Sequence, residues 1–133
     1  IGGGHKHRMS LSDMVMIKDN HLLVSNSIEN ITKNARKQHR DVEVEVENQR
    51  DAMIAASSGA TIVMLDNFSP AQIKKTISAL QKKKLRNKVK LEASGGINSK
   101  NIAAYAKTGV DMISVGSITN SVKSLDLSLE VCV

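Results

Sequence analysis

Apolar positions in this chain fall into short runs, and each run ends on a charge or on small residues. Met14–Ile17 leads into Lys18, the alternating Val42–Val46 into Glu47, and Thr61–Leu65 into Asp66. Val89–Ala93 opens into Ser94-Gly95-Gly96, and Met112–Val115 ends at Gly116. Short apolar runs bounded by turn signals read as buried strands. A further strand is expected near Leu125–Val131.

Between the runs the spacing changes from two to that of a helix. Ser25-Asn26-Ser27 precedes Ile28, Ile31 and Ala35, so Ser25 or Ser27 is the expected N-cap of a helix ending near His39–Asp41. Gln49–Ser58 is alanine-rich and is closed by Gly59. Ser69-Pro70 opens a helix with Pro70 at its first position and Ile73, Ile77 and Leu80 on its buried face. Asn98 or Ser99 is expected to cap Ile102–Lys107, with Gly109 ending it. Strand and helix alternate, so the fold class is α/β, with a parallel sheet and right-handed crossovers. A closed barrel of this type needs eight strands and about 250 residues. The reading is therefore a parallel TIM-like (β/α) barrel that is incomplete in this chain, with its first strands expected to precede Ile1.

Alternation within the strands assigns their faces. Val42, Val44 and Val46 share one face, and Glu43, Glu45 and Glu47 share the other. If the valine face packs on outer helices, the interior gathers Glu45, Glu47, Glu92, Asp66, Lys18 and Lys90. The alternative is an edge strand with a solvated glutamate face. Buried charges need partners, and the lysines of neighbouring strands supply them, which favours the interior.

Composition narrows the class. The chain has 133 residues, 41% hydrophobic and 24% charged, as expected of an ordinary folded domain. The single cysteine, Cys132, forms no internal disulfide, and no leader-like or membrane-length apolar run is present, so a cytoplasmic setting is expected. The net charge of +6 resides largely in Lys33–Arg40 and Lys74–Lys90, where it reads first as solvated helix faces. Tyr105 and Phe68 are the only aromatics, so bases would find no stacking platform and nucleic acid is not an expected partner. Small anions fit the basic balance better.

In parallel β/α proteins the chemistry sits just past the carboxyl ends of the strands. Glu47 and Asp66 are the candidate catalytic pair there. Oxygen ligands on neighbouring strands suit Mg²⁺, which keeps several waters and binds substrate phosphates. Carboxylates also stabilise a cationic sugar centre. Against this stands a plain salt-bridge network. Ser94-Gly95-Gly96 followed by a helix, with Gly116 one unit later, reads as a phosphate cradle built from backbone N–H groups. His5, Lys6 and His7 form a His-Lys-His run with no cysteine or carboxylate at ligand spacing, so no metal is assigned to it. Arg8 reads as a carboxylate clamp through its planar fork. His21 is open between a structural hydrogen bond and a ligand contact. The six methionines scatter through the expected core and carry no functional reading.

Seven motifs occur in order. They are Gly2-Gly3-Gly4 with His7-Arg8, Leu11, Ile17-Lys18-Asp19-Asn20-His21, Val44-Glu45-Val46-Glu47, Met64-Leu65-Asp66-Asn67-Phe68, Glu92-Ala93-Ser94-Gly95-Gly96-Ile97, and Gly109-Val110-Asp111 with Ser114-Val115-Gly116. In these the chain, over residues 1–133, resembles the C-terminal barrel portion of the quinolinate phosphoribosyltransferases, the carboxylating nicotinate-nucleotide pyrophosphorylases. The resemblance implies quinolinate and phosphoribosyl pyrophosphate as substrates, and nicotinate mononucleotide, pyrophosphate and CO₂ as products, in NAD biosynthesis. By motif match, His7, Arg8 and Lys18 bind quinolinate, Glu47 and Asp66 face ribose and Mg²⁺, and Ser94, Gly95, Gly96 and Gly116 hold the 5′-phosphate. It also implies a preceding amino-terminal half, without which this fragment is expected to be inactive, and a homo-oligomer based on a dimer. The family usually has a histidine where Asn120 stands, and asparagine carries no charge to a pyrophosphate. The weighed alternatives are a sister barrel, such as nicotinate phosphoribosyltransferase or the molybdenum-transport-associated relative, and a non-catalytic phosphate-binding fragment.

Overall fold

The computed structural model describes residues 3–4, 14–18, 27–120 and 128–129. Five strands, β1 (Val15–Ile17), β2 (Val42–Val46), β3 (Ile62–Asp66), β4 (Lys90–Ser94) and β5 (Met112–Ile113), form one sheet in the order β1-β2-β3-β4-β5. Every neighbouring pair is parallel. Helices α1 (Ile28–Gln38), α2 (Gln49–Ser57), α3 (Pro70–Lys82), α4 (Ile102–Ala106) and α5 (Ser117–Asn120) follow the strands in turn, with a 3₁₀ turn at Arg86–Lys88 before β4. The sheet is the expected parallel α/β segment. The strand proposed near Leu125–Val131 falls largely outside the described residues.

Local sequence explains the helix ends. Ser27 caps α1, its side chain accepting from the Asn30 N–H at 3.3 Å. Asn48 caps α2 through the Asp51 N–H at 2.9 Å. Ser69 caps α3 in a reciprocal box, its hydroxyl accepting from the Gln72 N–H while Gln72 Oε1 accepts from the Ser69 N–H at 2.8 Å, with Pro70 just inside.

The expected cap of α4 is corrected. The N-cap is Asn101, which makes no forward side-chain bond, because its backbone is helical (φ −114, ψ −14) rather than extended. Its amide turns back instead, accepting from the Asn98 N–H at 2.9 Å and donating to the Gly96 carbonyl at 3.1 Å.

Register divides the sheet into two faces. On one, Ile17, Val42, Val44, Val46, Val63, Leu65, Leu91 and Ala93 are buried and share a core with Ala52, Ala55 and Ala56 of α2 and Ile73, Ile77 and Leu80 of α3. Each large side chain buried there contributes about 1.5–3 kcal/mol of transfer free energy. Lysines of α1 and α3, among them Lys33, Lys37, Lys74, Lys75 and Lys82, face water, as their helical spacing predicted. On the other face, Met16 lies opposite Glu43, Glu45 opposite Met64, and Met64 opposite Glu92. Strand β2 is paired on both sides, so its glutamates are not the solvated row of an edge strand.

The inward set differs from expectation. Among the described residues Glu43, not counted in that set, is the most deeply buried glutamate, whereas Lys18, Glu47 and Lys90, expected inside, are exposed because they stand at the strand ends. Lys90 is the first residue of β4, at the amino end of the strand. At that end Arg86 pairs with Asp111 (Nη2 to Oδ2, 2.9 Å) and donates to the carbonyls of Gly109 at 2.9 Å and Val89 at 3.2 Å. Asp111 also accepts from the Leu91 N–H at 2.7 Å, which ties β5 to β4.

Candidate active site

Because all five strands are parallel, the residues that end them lie on one rim. Lys18 follows β1, Glu47 follows β2, Asp66 ends β3, Ser94 ends β4, and Gly116 lies just past β5. Lys18 and Asp66 are therefore at the same end of the sheet. Asp66 and Ser94 are direct register partners. Glu47 is exposed, while Asp66 and Ser94 are half-buried. His7, Arg8 and His21 lie outside the described residues.

Lys18 continues the inward face of β1. Its ammonium is 3.5 Å from Glu45 Oε2, with the lysine side chain 48% exposed and the glutamate 22%. A pair this open to water is worth little as a stabiliser, about 0–1 kcal/mol. Its effect is to hold a cation at the rim. Deeper in the same face, Glu92 is buried and accepts a short hydrogen bond from the Ser114 hydroxyl.

The loop after β3 is held from both sides. Phe68 is buried beneath it, and the Ser69 box starts α3 immediately after. Between them Asn67 takes a left-handed backbone conformation, φ 55, which asparagine tolerates better than most residues. Its Nδ2 donates to Asp66 Oδ2 at 2.6 Å, and its backbone N–H donates to the Ser94 carbonyl at 2.9 Å.

The loop after β4 turns on two glycines. Gly95 and Gly96 both take positive φ, 88 and 62. The Gly96 carbonyl accepts from Asn98 Nδ2 at 3.3 Å and Asn101 Nδ2 at 3.1 Å, and the Ile97 carbonyl accepts from the Ser117 hydroxyl at 3.3 Å. With those carbonyls turned toward the protein, the N–H groups of Gly95, Gly96 and Ile97 donate to no backbone carbonyl among the described residues. Consecutive N–H groups in left-handed turns form a concave site for anions. Ser117 ties this loop to that of Gly116, whose carbonyl accepts from the Asn120 N–H at 2.9 Å. The side chain of Asn120 lies against Gly116, its Nδ2 3.5 Å from where a Cβ would stand.

Three residues of this arrangement stand out only in three dimensions. Glu43 and Ser114 are placed on the inward face by alternation, but their depth and pairing depend on how the strands stack. Asn67 belongs to a recognisable Asp-Asn-Phe run, yet only its backbone conformation brings it against both Asp66 and Ser94. Among the described residues no group of three or more His, Cys, Asp or Glu side chains could hold a metal ion.

The fold is thus a parallel β/α sheet with a cation, two carboxylates and two glycine-bearing loops on one rim, the rim on which parallel β/α enzymes carry their chemistry. The chain belongs to the quinolinate phosphoribosyltransferase family: residues 1–130 match that of the "Quinolinate phosphoribosyl transferase, C-terminal domain". It is 49% identical to a probable carboxylating nicotinate-nucleotide pyrophosphorylase of Methanothermobacter thermautotrophicus, a match covering 98% of this chain and 48% of that protein. Among solved structures, the nicotinate-nucleotide pyrophosphorylase of Francisella tularensis is 45% identical with a TM-score of 0.81, covering 96% of this chain and 44% of that one. The NadC structure from Streptococcus pyogenes is 39% identical with a TM-score of 0.85, covering 97% and 45%. The chain thus spans about half the length of the relatives it matches. Among the described residues no helix is long and apolar enough to cross a membrane.

Proposed function

We propose that this chain is the barrel portion of an enzyme that transfers the phosphoribosyl group of phosphoribosyl pyrophosphate to quinolinate. The products are nicotinate mononucleotide, pyrophosphate and CO₂, a step of NAD biosynthesis. The observation that carries this reading is the single rim on which Lys18, Glu47, Asp66 and the Ser94-Gly95-Gly96 loop meet, in a member of this family. The family match favours it over the sister barrels.

The reaction breaks the bond from ribose C1′ to the pyrophosphate oxygen and forms one from C1′ to the pyridine nitrogen. C1′ passes through a cationic, oxocarbenium-like state, which the carboxylates of Glu47 and Asp66 stabilise electrostatically. The 5′-phosphate lies on the N–H groups of the Gly95–Gly96 turn, with Ser94 and Gly116 beside it. Lys18, with His7 and Arg8, holds the two quinolinate carboxylates. Once the ring nitrogen is quaternary, the bond to the adjacent carboxylate breaks. CO₂ leaves, and the electron pair left on the ring carbon takes up a proton. Glu47 and Asp66 would hold Mg²⁺ through water, and the ion would supply positive charge to the pyrophosphate. Asn120, without charge, contributes only hydrogen bonds there. The working protein is a cytoplasmic dimer or dimer-based oligomer that includes the half of the fold its relatives carry beyond this chain.

The test is Glu47→Ala and Asp66→Ala in a polypeptide of its relatives' full length. Each should lower turnover by at least about tenfold, because both groups act on developing charge. Unchanged turnover in both variants would return these carboxylates to a structural role.

A further inference from the structure

We infer that Asn67 is a positioning residue that sets the catalytic carboxylate of Asp66 and the phosphate loop in a fixed relation to each other. The inference rests on the reading of Asp66 and Ser94–Gly96 given above and adds a residue which that reading does not use.

Three contacts meet in this one residue. The Asn67 amide donates to Asp66 Oδ2 at 2.6 Å, which orients the carboxylate through one oxygen. No hydrogen bond to the other oxygen, Oδ1, occurs among the described residues. A neutral donor orients the group without cancelling its charge, as a lysine in this place would. The Asn67 backbone N–H donates to the Ser94 carbonyl at 2.9 Å, fixing the base of the β4 loop. Finally, Asn67 fills the space above Gly95. A Cβ there would stand 2.6 Å from the Asn67 backbone nitrogen and closer still to its Oδ1.

The substrate gives this coupling its purpose. Ribose C1′ and the 5′-phosphate are separated by a covalent distance that the enzyme must match. A carboxylate on one loop and a phosphate cradle on the next serve one ribose only if the two loops keep their spacing. Beyond the Asp66–Ser94 strand pairing, Asn67 joins the two loops. Misplacing a reacting group by about 1 Å can cost on the order of 10²-fold in rate, so loss of the tether should appear in turnover before it appears in binding.

Two variants test this in the full-length polypeptide. Asn67→Gly keeps the left-handed backbone and the N–H to Ser94 but removes the amide. Asn67→Asp keeps the size and replaces the donor with a second carboxylate facing Asp66. Both should lower kcat by about tenfold or more, with KM for phosphoribosyl pyrophosphate changed less than about threefold and melting temperatures within a few degrees of the parent. A role confined to folding would lower the melting temperature and leave the kcat of the folded fraction intact, and that result would overturn the inference. Unchanged kcat in both variants would overturn it as well. Asp66→Ala, assayed alongside, separates the two readings. If Asp66→Ala loses turnover while the Asn67 variants keep it, the tether alone is wrong. If Asp66→Ala also keeps turnover, the site assignment falls and the tether with it.

Discussion

The contact between Gly95 and Asn67 predicts a difference between two adjacent glycines that are alike in backbone conformation. Gly95→Ala places a methyl group 2.6 Å from the backbone nitrogen of Asn67, a separation real Cβ atoms do not sustain, and it does so at φ 88. Gly96→Ala asks for a similar left-handed conformation, φ 62, but its methyl group would meet nothing within 4 Å. Left-handed backbone costs an alanine about 1–2 kcal/mol, and both variants incur this. Overpacking against a part that cannot retreat adds about 1–3 kcal/mol. Asn67 is such a part, because its N–H is bonded to Ser94 and its neighbour Phe68 is buried. The expected losses are therefore about 2–5 kcal/mol for Gly95→Ala and about 1–2 kcal/mol for Gly96→Ala. Urea unfolding with an unchanged slope would measure both. Adding Asn67→Gly to Gly95→Ala should recover part of the loss, since the side-chain collision disappears while the one with the backbone nitrogen persists. Equal destabilisation by the two glycine variants would refute the reasoning: the loop after β3 would then yield freely, and no fixed spacing would exist to be protected.

Two further substitutions have expected outcomes. Arg86→Ala removes a guanidinium, 17% exposed, that is bonded to Asp111 and to two backbone carbonyls at the amino end of the strands. It should destabilise by about 1–3 kcal/mol in urea while leaving the turnover of the folded protein unchanged, and a fall in kcat without loss of stability would contradict this placement. In the full-length polypeptide, Arg8→Lys keeps the charge but loses the bidentate fork. It should weaken quinolinate binding by about 1.5–3 kcal/mol and leave phosphoribosyl pyrophosphate binding nearly unchanged, as read by titrating each ligand; equal losses for the two would make Arg8 structural.

The sequence was most informative where one residue determines an outcome alone. Ser69-Pro70 starts a helix, and alternation in Val42–Val46 sets which side chains meet the outer helices, so both are legible without coordinates. Height along the strand is not. Lys90 and Glu92 share a face by parity, yet one is exposed at the amino end and the other is buried two residues on. The lysine therefore does not join the interior charges, whereas Lys18, at the opposite end, meets Glu45. The cap of α4, expected at Asn98 or Ser99, falls instead at Asn101 for a related reason. The residue type was suitable, but its backbone is already helical, so the side chain bonds backward. Asn67 was legible as part of a motif but not as a bridge, because its partner Ser94 lies on another strand and the bridge requires a left-handed turn that the residue type permits without announcing.

Strand order has a consequence for how such a domain is made. Each strand pairs with the one before it in the chain, and every pairing closes a loop of roughly twenty to thirty residues. Closure entropy rises only slowly with loop length, so no step is much harder than another. As the chain leaves the ribosome, each strand–helix unit can add to an edge that is already formed, without waiting for distant sequence. Asp66 and Ser94 arrive on successive units, so the rim can take shape as the polypeptide is synthesised.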